Sequence, residues 1–155
     1  MRTARAEITV PLGAEGSASL WTDVGRWPTF VEGFARTLEV SDDWPARGAR
    51  VVWESRPGGR GRVTERVVEN RSGGTAERRF ATDVFESALH GTQRATFAPA
   101  PEGTRVDLEL EYELEHYGPL RAVADALFVR RALRDALRRT LHRFAVEAEE
   151  AAGLR

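Results

Sequence analysis

The chain lacks cysteine and lysine altogether. Without cysteine there are no disulfides, no thiol nucleophile and no thiolate metal ligand, a composition that suits a cytoplasmic protein. Without lysine every basic side chain is arginine, which reads as a trace of genomic base composition. Histidine is scarce: His90, His116 and His142 are far apart and form no HExxH pattern. Zinc needs about four convergent ligands, so no metal site and no cofactor is expected. Gly58-Gly59-Arg60-Gly61 lacks the Gly-Lys-Ser/Thr of a P-loop and the third spaced glycine of a dinucleotide fingerprint, so it reads as a hairpin turn. No apolar run approaches a membrane span. The amino terminus alternates polar and apolar residues, unlike a signal peptide. The net charge of −1 gives no electrostatic reason to expect nucleic acid or an anionic membrane as partner. The run Arg138-Arg139…Arg143 is too narrow a basic surface for nucleic acid and reads as a solvated face.

What is present fits one globular domain spanning residues 1–155. Hydrophobic residues make up 41% and charged residues 30%, enough for a core and room for a cavity. Residues 4–11 alternate as a first strand ended by Pro11. Residues 14–24 read as a short helix, broken by Gly25, and a second short helix begins near Trp27-Pro28 with Phe30, Val31 and Phe34 on its apolar side. The period then changes from about 3.6 to 2. Strands are expected over residues 37–41, 50–55, 62–70, 75–84, 91–98 and 105–115. Short Gly/Pro loops between them argue for an antiparallel meander. The strand at 105–115 is the clearest: Val106, Leu108, Leu110, Tyr112 and Leu114 alternate with Asp107, Glu109, Glu111, Glu113 and Glu115. One face is apolar and the other acidic, as in a sheet with one buried and one wet face. Arginines such as Arg94 on a neighbouring strand would offset the acidic ladder.

Residues 119–151 read as one long helix, opened by Gly118-Pro119. Leu120, Val123, Leu127, Leu137, Leu141, Ala145 and Ala148 form its apolar stripe. Arg130 and Arg134 fall inside that stripe. Either their stems pack while the guanidinium groups snorkel to water, or they clamp a ligand carboxylate or polarised carbonyl. This helix is the only element able to cover a curved sheet. A bent sheet around a single helix leaves space for a cavity.

Two motifs carry a family resemblance. Thr22-Asp23-Val24-Gly25-Arg26-Trp27-Pro28-Thr29-Phe30 resembles the junction between the two short helices of the SRPBCC superfamily, the START-like and birch-allergen-like helix-grip domains. Gly103-Thr104-Arg105-Val106 resembles that superfamily's turn into its last strand, and the long terminal helix follows. The match runs over nearly the whole chain and looks most like the bacterial polyketide cyclase/dehydrase-like members. The resemblance implies an α+β helix-grip fold: a curved antiparallel sheet wrapped around a long C-terminal helix, with two short helices after the first strand. It also implies a deep apolar pocket between sheet and helix. It does not identify the ligand.

Trp27, Phe30, Trp53, Phe80, Phe97 and Tyr112 are expected on inward-facing elements, each as core or as pocket lining. With Gln93, Leu108, Leu110, Leu127 and Arg134 they make up the expected ligand-binding set. Tyr112 and Gln93 bring polar groups inward, and Tyr112, Gln93 and Arg134 would orient a ligand. Glu65 depends on register. If Val63 and Val67 face inward, period 2 brings Glu65 with them as a desolvated carboxyl able to serve as acid or base. If the strand turns by one residue, Arg66 takes its place; a bulge or strand edge would expose both. Glu65 and Tyr112 are thus the candidate catalytic residues.

Three functions fit these readings. The leading one is a module that binds a hydrophobic small molecule: a lipid, a polyketide or an aromatic ligand. The second is a polyketide aromatase/cyclase or dehydratase. Against it, Asn70 stands where, by the resemblance, a true aromatase would carry arginine. The third is a protein-interaction module, which would have a collapsed or side-chain-filled cavity.

Overall fold

The computed structural model describes residues 1–72, 76–115 and 122–154, the side chains of the last stretch from residue 127 onward. The turn expected at Gly73-Gly74, the helix opening at Gly118-Pro119, His116, and the side chains of Leu120 and Val123 lie outside the described residues.

Seven strands form one antiparallel sheet: β1 (Arg2–Val10), β2 (Phe34–Val40), β3 (Arg50–Ser55), β4 (Arg62–Ser72), β5 (Arg78–Phe85), β6 (Leu89–Ala100) and β7 (Gly103–Leu114). Their order across the sheet is β1-β7-β6-β5-β4-β3-β2. From β2 to β7 this is the expected meander, and β1 pairs with β7 to complete it. Helices α1 (Ala14–Thr22) and α2 (Trp27–Phe30) follow β1, joined by a 3-10 turn at Val24–Arg26. Helix α3 (Ala122–Ala151) closes the chain. The fold is α+β and helix-grip-like.

Local chemistry explains the boundaries. Asp23 ends α1 and caps the 3-10 turn by accepting from the Gly25 N–H at 3.2 Å. Pro28 sits in the first turn of α2, where no N–H is missed. Register shifts interrupt β2 at Phe34/Arg36 and Thr37/Glu39 and β4 at Val67/Glu69. Such bulges bend a strand and increase its twist, which is how the sheet curls round a helix. Gly103 has φ +141°, and a Cβ there would lie 2.1 Å from the Val10 carbonyl oxygen, so only glycine fits. Next to it, the Thr104 hydroxyl donates to the Leu12 carbonyl at 2.6 Å. These contacts are the physical content of the Gly103-Thr104 motif: they lock the start of β7 to the end of β1.

The two sheet faces divide as expected for β7. Val106, Leu108, Leu110 and Tyr112 are each at most 2% exposed. On the outer face Arg94 pairs with Glu109 and Glu111, and Arg5 with Asp107 and Glu109. Exposed pairs of this kind contribute little each, but they remove the repulsion of an unbroken acidic row.

Helix α3 is pinned across the inner face. The Thr140 hydroxyl accepts from the Glu32 N–H at 3.0 Å, and the Glu32 carboxylate takes Arg139 at 3.0 Å and Arg143 at 2.6 Å. Those two arginines therefore tie α3 to the turn after α2 as well as facing water. The buried side of α3 differs from the expected stripe. It runs through Val129, Leu133, Leu137, Leu141, Phe144 and Ala148 and drifts round the helix along its length. Arg130 and Arg134 align with the C-terminal half of that stripe. In the N-terminal half, where they lie, the buried side has rotated away and both are exposed. Leu127 is 64% exposed for the same reason.

Candidate functional site

Between the inner face of the sheet and the N-terminal half of α3 lies a cavity of about 680 Å³. Its floor is Trp53 from β3, Glu65 from β4, Val84 from β5, Gln93 from β6, and Leu108 and Leu110 from β7. Its roof is α3 from Phe128 to Thr140, and Trp21 and Trp27 form the end wall. The tip of the β3–β4 hairpin, residues 56–60, and the β5–β6 turn complete the lining. Most of the lining is apolar, so the few polar groups stand out.

Glu65 is the most unusual of them. Val63 and Val67 are at most 1% exposed and Glu65 between them is 7% exposed, so the strand register points the carboxyl inward and Arg66 outward. The Trp53 indole N–H donates to Glu65 Oε2 at 2.7 Å, and the Thr82 hydroxyl donates to Oε1 at 2.9 Å. Burial raises the Glu65 pKa above the ordinary value of 4.5; the two hydrogen bonds and the Arg60 charge only partly oppose it. Arg60 stands 5.2 Å from the centroid of the Trp53 ring and pairs with Glu86 on the β5–β6 turn. Glu65, Trp53, Arg60 and Glu86 thus make one polar corner in an otherwise oily space. Chemically the corner can hold a neutral carboxyl that donates a hydrogen bond, or exchange a proton with a bound molecule.

Of the expected ligand-binding residues, Trp27, Trp53, Gln93, Leu108 and Leu110 line this cavity. Phe30 and Phe97 do not: both are fully buried against Trp21, and Phe30 also packs on Phe144. Phe80 packs on Trp44 and borders a separate hollow of about 130 Å³ with Asn70 and Arg78. Asn70 itself donates to the Pro45 carbonyl at 2.9 Å and accepts from Arg78 at 3.0 Å, outside the main cavity. Tyr112 is 0% exposed and off the cavity wall, and its hydroxyl finds no partner among the described residues. Burial raises its pKa, opposed by the charges of Arg2 and Arg130. Leu127 and Arg134 lie outside the lining, on the exposed side of α3.

Sequence reasoning missed Trp21, Thr82, Glu86 and Val129 as parts of the site. Two of these had a signal. Glu86 follows inward-facing Val84 and Thr82 at period 2, and Trp21 falls one turn after buried Ser17 on α1. Among the described residues no group of three His, Asp or Glu side chains is able to hold a metal ion, and no helix is long and apolar enough to cross a membrane.

A family model described as polyketide cyclase/dehydrase and lipid transport matches residues 1–149. The chain belongs to that family. It is an SRPBCC-type protein, and solved structures agree on the helix-grip fold. A Thermus thermophilus protein superposes with a TM-score of 0.72 at 22% identity, covering 97% of this chain and 99% of that one. A Staphylococcus aureus protein of unknown function gives 0.75 at 13%, covering 98% and 96%. A norcoclaurine synthase point mutant from Thalictrum, solved with a transition-state analogue, gives 0.67 at 13%, covering 97% and 96%. At these identities the likeness carries the fold alone. No functionally curated sequence matches this polyketide cyclase/dehydrase-family chain.

Proposed function

We propose that this protein binds a hydrophobic small molecule in the space between the sheet and α3. The observation that carries the reading is the 680 Å³ cavity, walled mainly by tryptophans and leucines. A space of that size matches small-molecule sites in general. Affinity would come mainly from apolar burial, about 25 cal/mol per Å² before ordering costs. Family membership supports the same class of ligand, since the family includes lipid transport. An interaction module with a filled or collapsed cavity fits this open space less well. Native mass spectrometry of the protein purified from its own host tests the reading: a small molecule that leaves only on denaturation is expected. Consistently ligand-free protein that also takes up no apolar dye contradicts it.

A second reading, a cyclase or dehydratase acting on a poly-β-carbonyl chain, is favoured by one observation, the buried Glu65 carboxyl at the cavity floor. A carboxyl raised toward neutrality is suited to moving protons. This reading predicts that Glu65→Gln abolishes turnover of such a chain while dye binding persists. Equal product formation by both proteins would remove Glu65 from any catalytic role.

A further inference from the structure

Three polar residues of the inner face form a line across neighbouring strands: Glu65 and Gln93, which line the cavity, and buried Thr82 between them. Trp53 and Thr82 both donate to Glu65. Thr82 on β5 pairs directly with Gln93 on β6, and Gln93 pairs with Leu110 on β7. Thr82, Gln93 and Leu110 therefore sit side by side on the inner face, with Glu65 one step diagonal. Gln93 lines the cavity, and its amide makes no hydrogen bond among the described residues. The two ends of the line differ in supply. At Glu65 each oxygen already accepts one hydrogen bond from the protein, which leaves the carboxyl one further lone pair on each oxygen, or an O–H to give when it is protonated. At Gln93 both the carbonyl and the amide are free.

We propose that Glu65 and Gln93 together read two uncharged oxygen groups of one ligand, set at opposite ends of an apolar frame. The inference rests on the cavity being a ligand site and narrows what enters it. Glu65 and Gln93 stand two strand spacings across the sheet and one diagonal step along it, about 12 Å between their backbones, and the Glu65 carboxyl reaches back toward Gln93 as far as Thr82. A plain hydrocarbon or acyl chain lying between them removes water from both and gives no hydrogen bond back, which is costly for buried polar groups. A carboxylate placed at the Glu65 end meets a carboxyl that already resists ionising, and the Arg60 charge beside it is already paired with Glu86. The corner therefore favours ketone, phenol or alcohol oxygen over an acid headgroup. Among lipid, polyketide and aromatic ligands, this selects rigid molecules oxygenated at both ends.

Biphenyl, its para mono-ol and its para,para-diol share one frame and place zero, one or two oxygens at about the required separation. Titration of the full chain with each, at a pH where the phenols are neutral, gives two affinity ratios. Each added oxygen is expected to tighten binding by about tenfold. In Gln93→Leu the diol-to-mono-ol ratio should fall to about one. Arg94→Gln, on the outer face, should keep the ratio of the unaltered protein. Because each ratio is taken within one variant, a general loss of stability cancels; if Gln93→Leu fails to fold, Gln93→Met is measured in its place. Equal affinities for all three compounds, or a ratio unchanged by the Gln93 substitution, overturns the proposal. Failure of every biphenyl to bind while an apolar dye binds overturns this inference alone. Failure of the dye as well overturns the binding reading beneath it.

Discussion

The two ends of the space beneath α3 are built from the same sheet face and the same helix, yet one is solid and the other hollow. At the solid end Trp21, Phe30 and Phe144 meet with ring centroids 5.2–5.6 Å apart, and Phe97 packs against Trp21 at 6.4 Å. At the hollow end the residues facing the sheet from α3 are small or half-buried: Val129, Ala132, Leu133 and Ala136. Side-chain volume makes the difference. Where α3 carries Phe144 the gap to the sheet closes; where it carries two alanines the gap stays open. Trp27 and Trp53 stand at the border. Each packs into a chain of rings, Trp27 on Phe34 and Trp44 and Trp53 on Phe34, and each also faces the cavity. Stability and binding are thus assigned to opposite ends of one helix.

Substitution at the solid end should have the largest effect on folding. Phe144→Ala removes a 0%-exposed ring from the centre of the cluster and should destabilise the protein by about 3–5 kcal/mol, read by chemical denaturation. A loss well under 1 kcal/mol would mean that the cluster is not the packed anchor described.

At the hollow end the sharpest handle is pH. The folded-state pKa of Glu65 lies above its ordinary value of 4.5. Between the two values the folded protein holds a proton that the unfolded chain releases, so stability falls as pH rises through this window. The contribution is full below the ordinary value and lost once pH passes the raised one. Glu65→Gln removes this titration and should flatten the fall in melting temperature across the window. An identical slope in both proteins would show that the carboxyl is more hydrated than its surroundings imply.

The contrast between the ends also explains what could be read from sequence. The sheet was legible because its pattern is local: the alternation in β7 states which face is buried, and Gly/Pro loops mark the turns. The register of β4 was open, since Glu65 and Arg66 are adjacent and only pairing with β3 and β5 decides which points inward. The division of aromatics was not legible. Phe97 and Gln93 share the inner face of β6, but one meets α1 and the other meets empty space. That depends on residues more than thirty positions away on α3. The stripe of α3 was misread in its N-terminal half because a helical wheel assumes a straight helix and a fixed facing side. The drift of the buried side moves Arg130 and Arg134 into water.

The claim that the hollow end is a binding site is tested most directly by filling it. Leu110 is 2% exposed on the cavity floor, and Leu110→Trp would place an indole in the open space. An environment-sensitive apolar dye should bind the unaltered protein saturably in the micromolar range. Leu110→Trp should lose that binding while retaining a cooperative thermal transition. Saturable binding of equal strength in both proteins, or none in the unaltered one, would contradict the account.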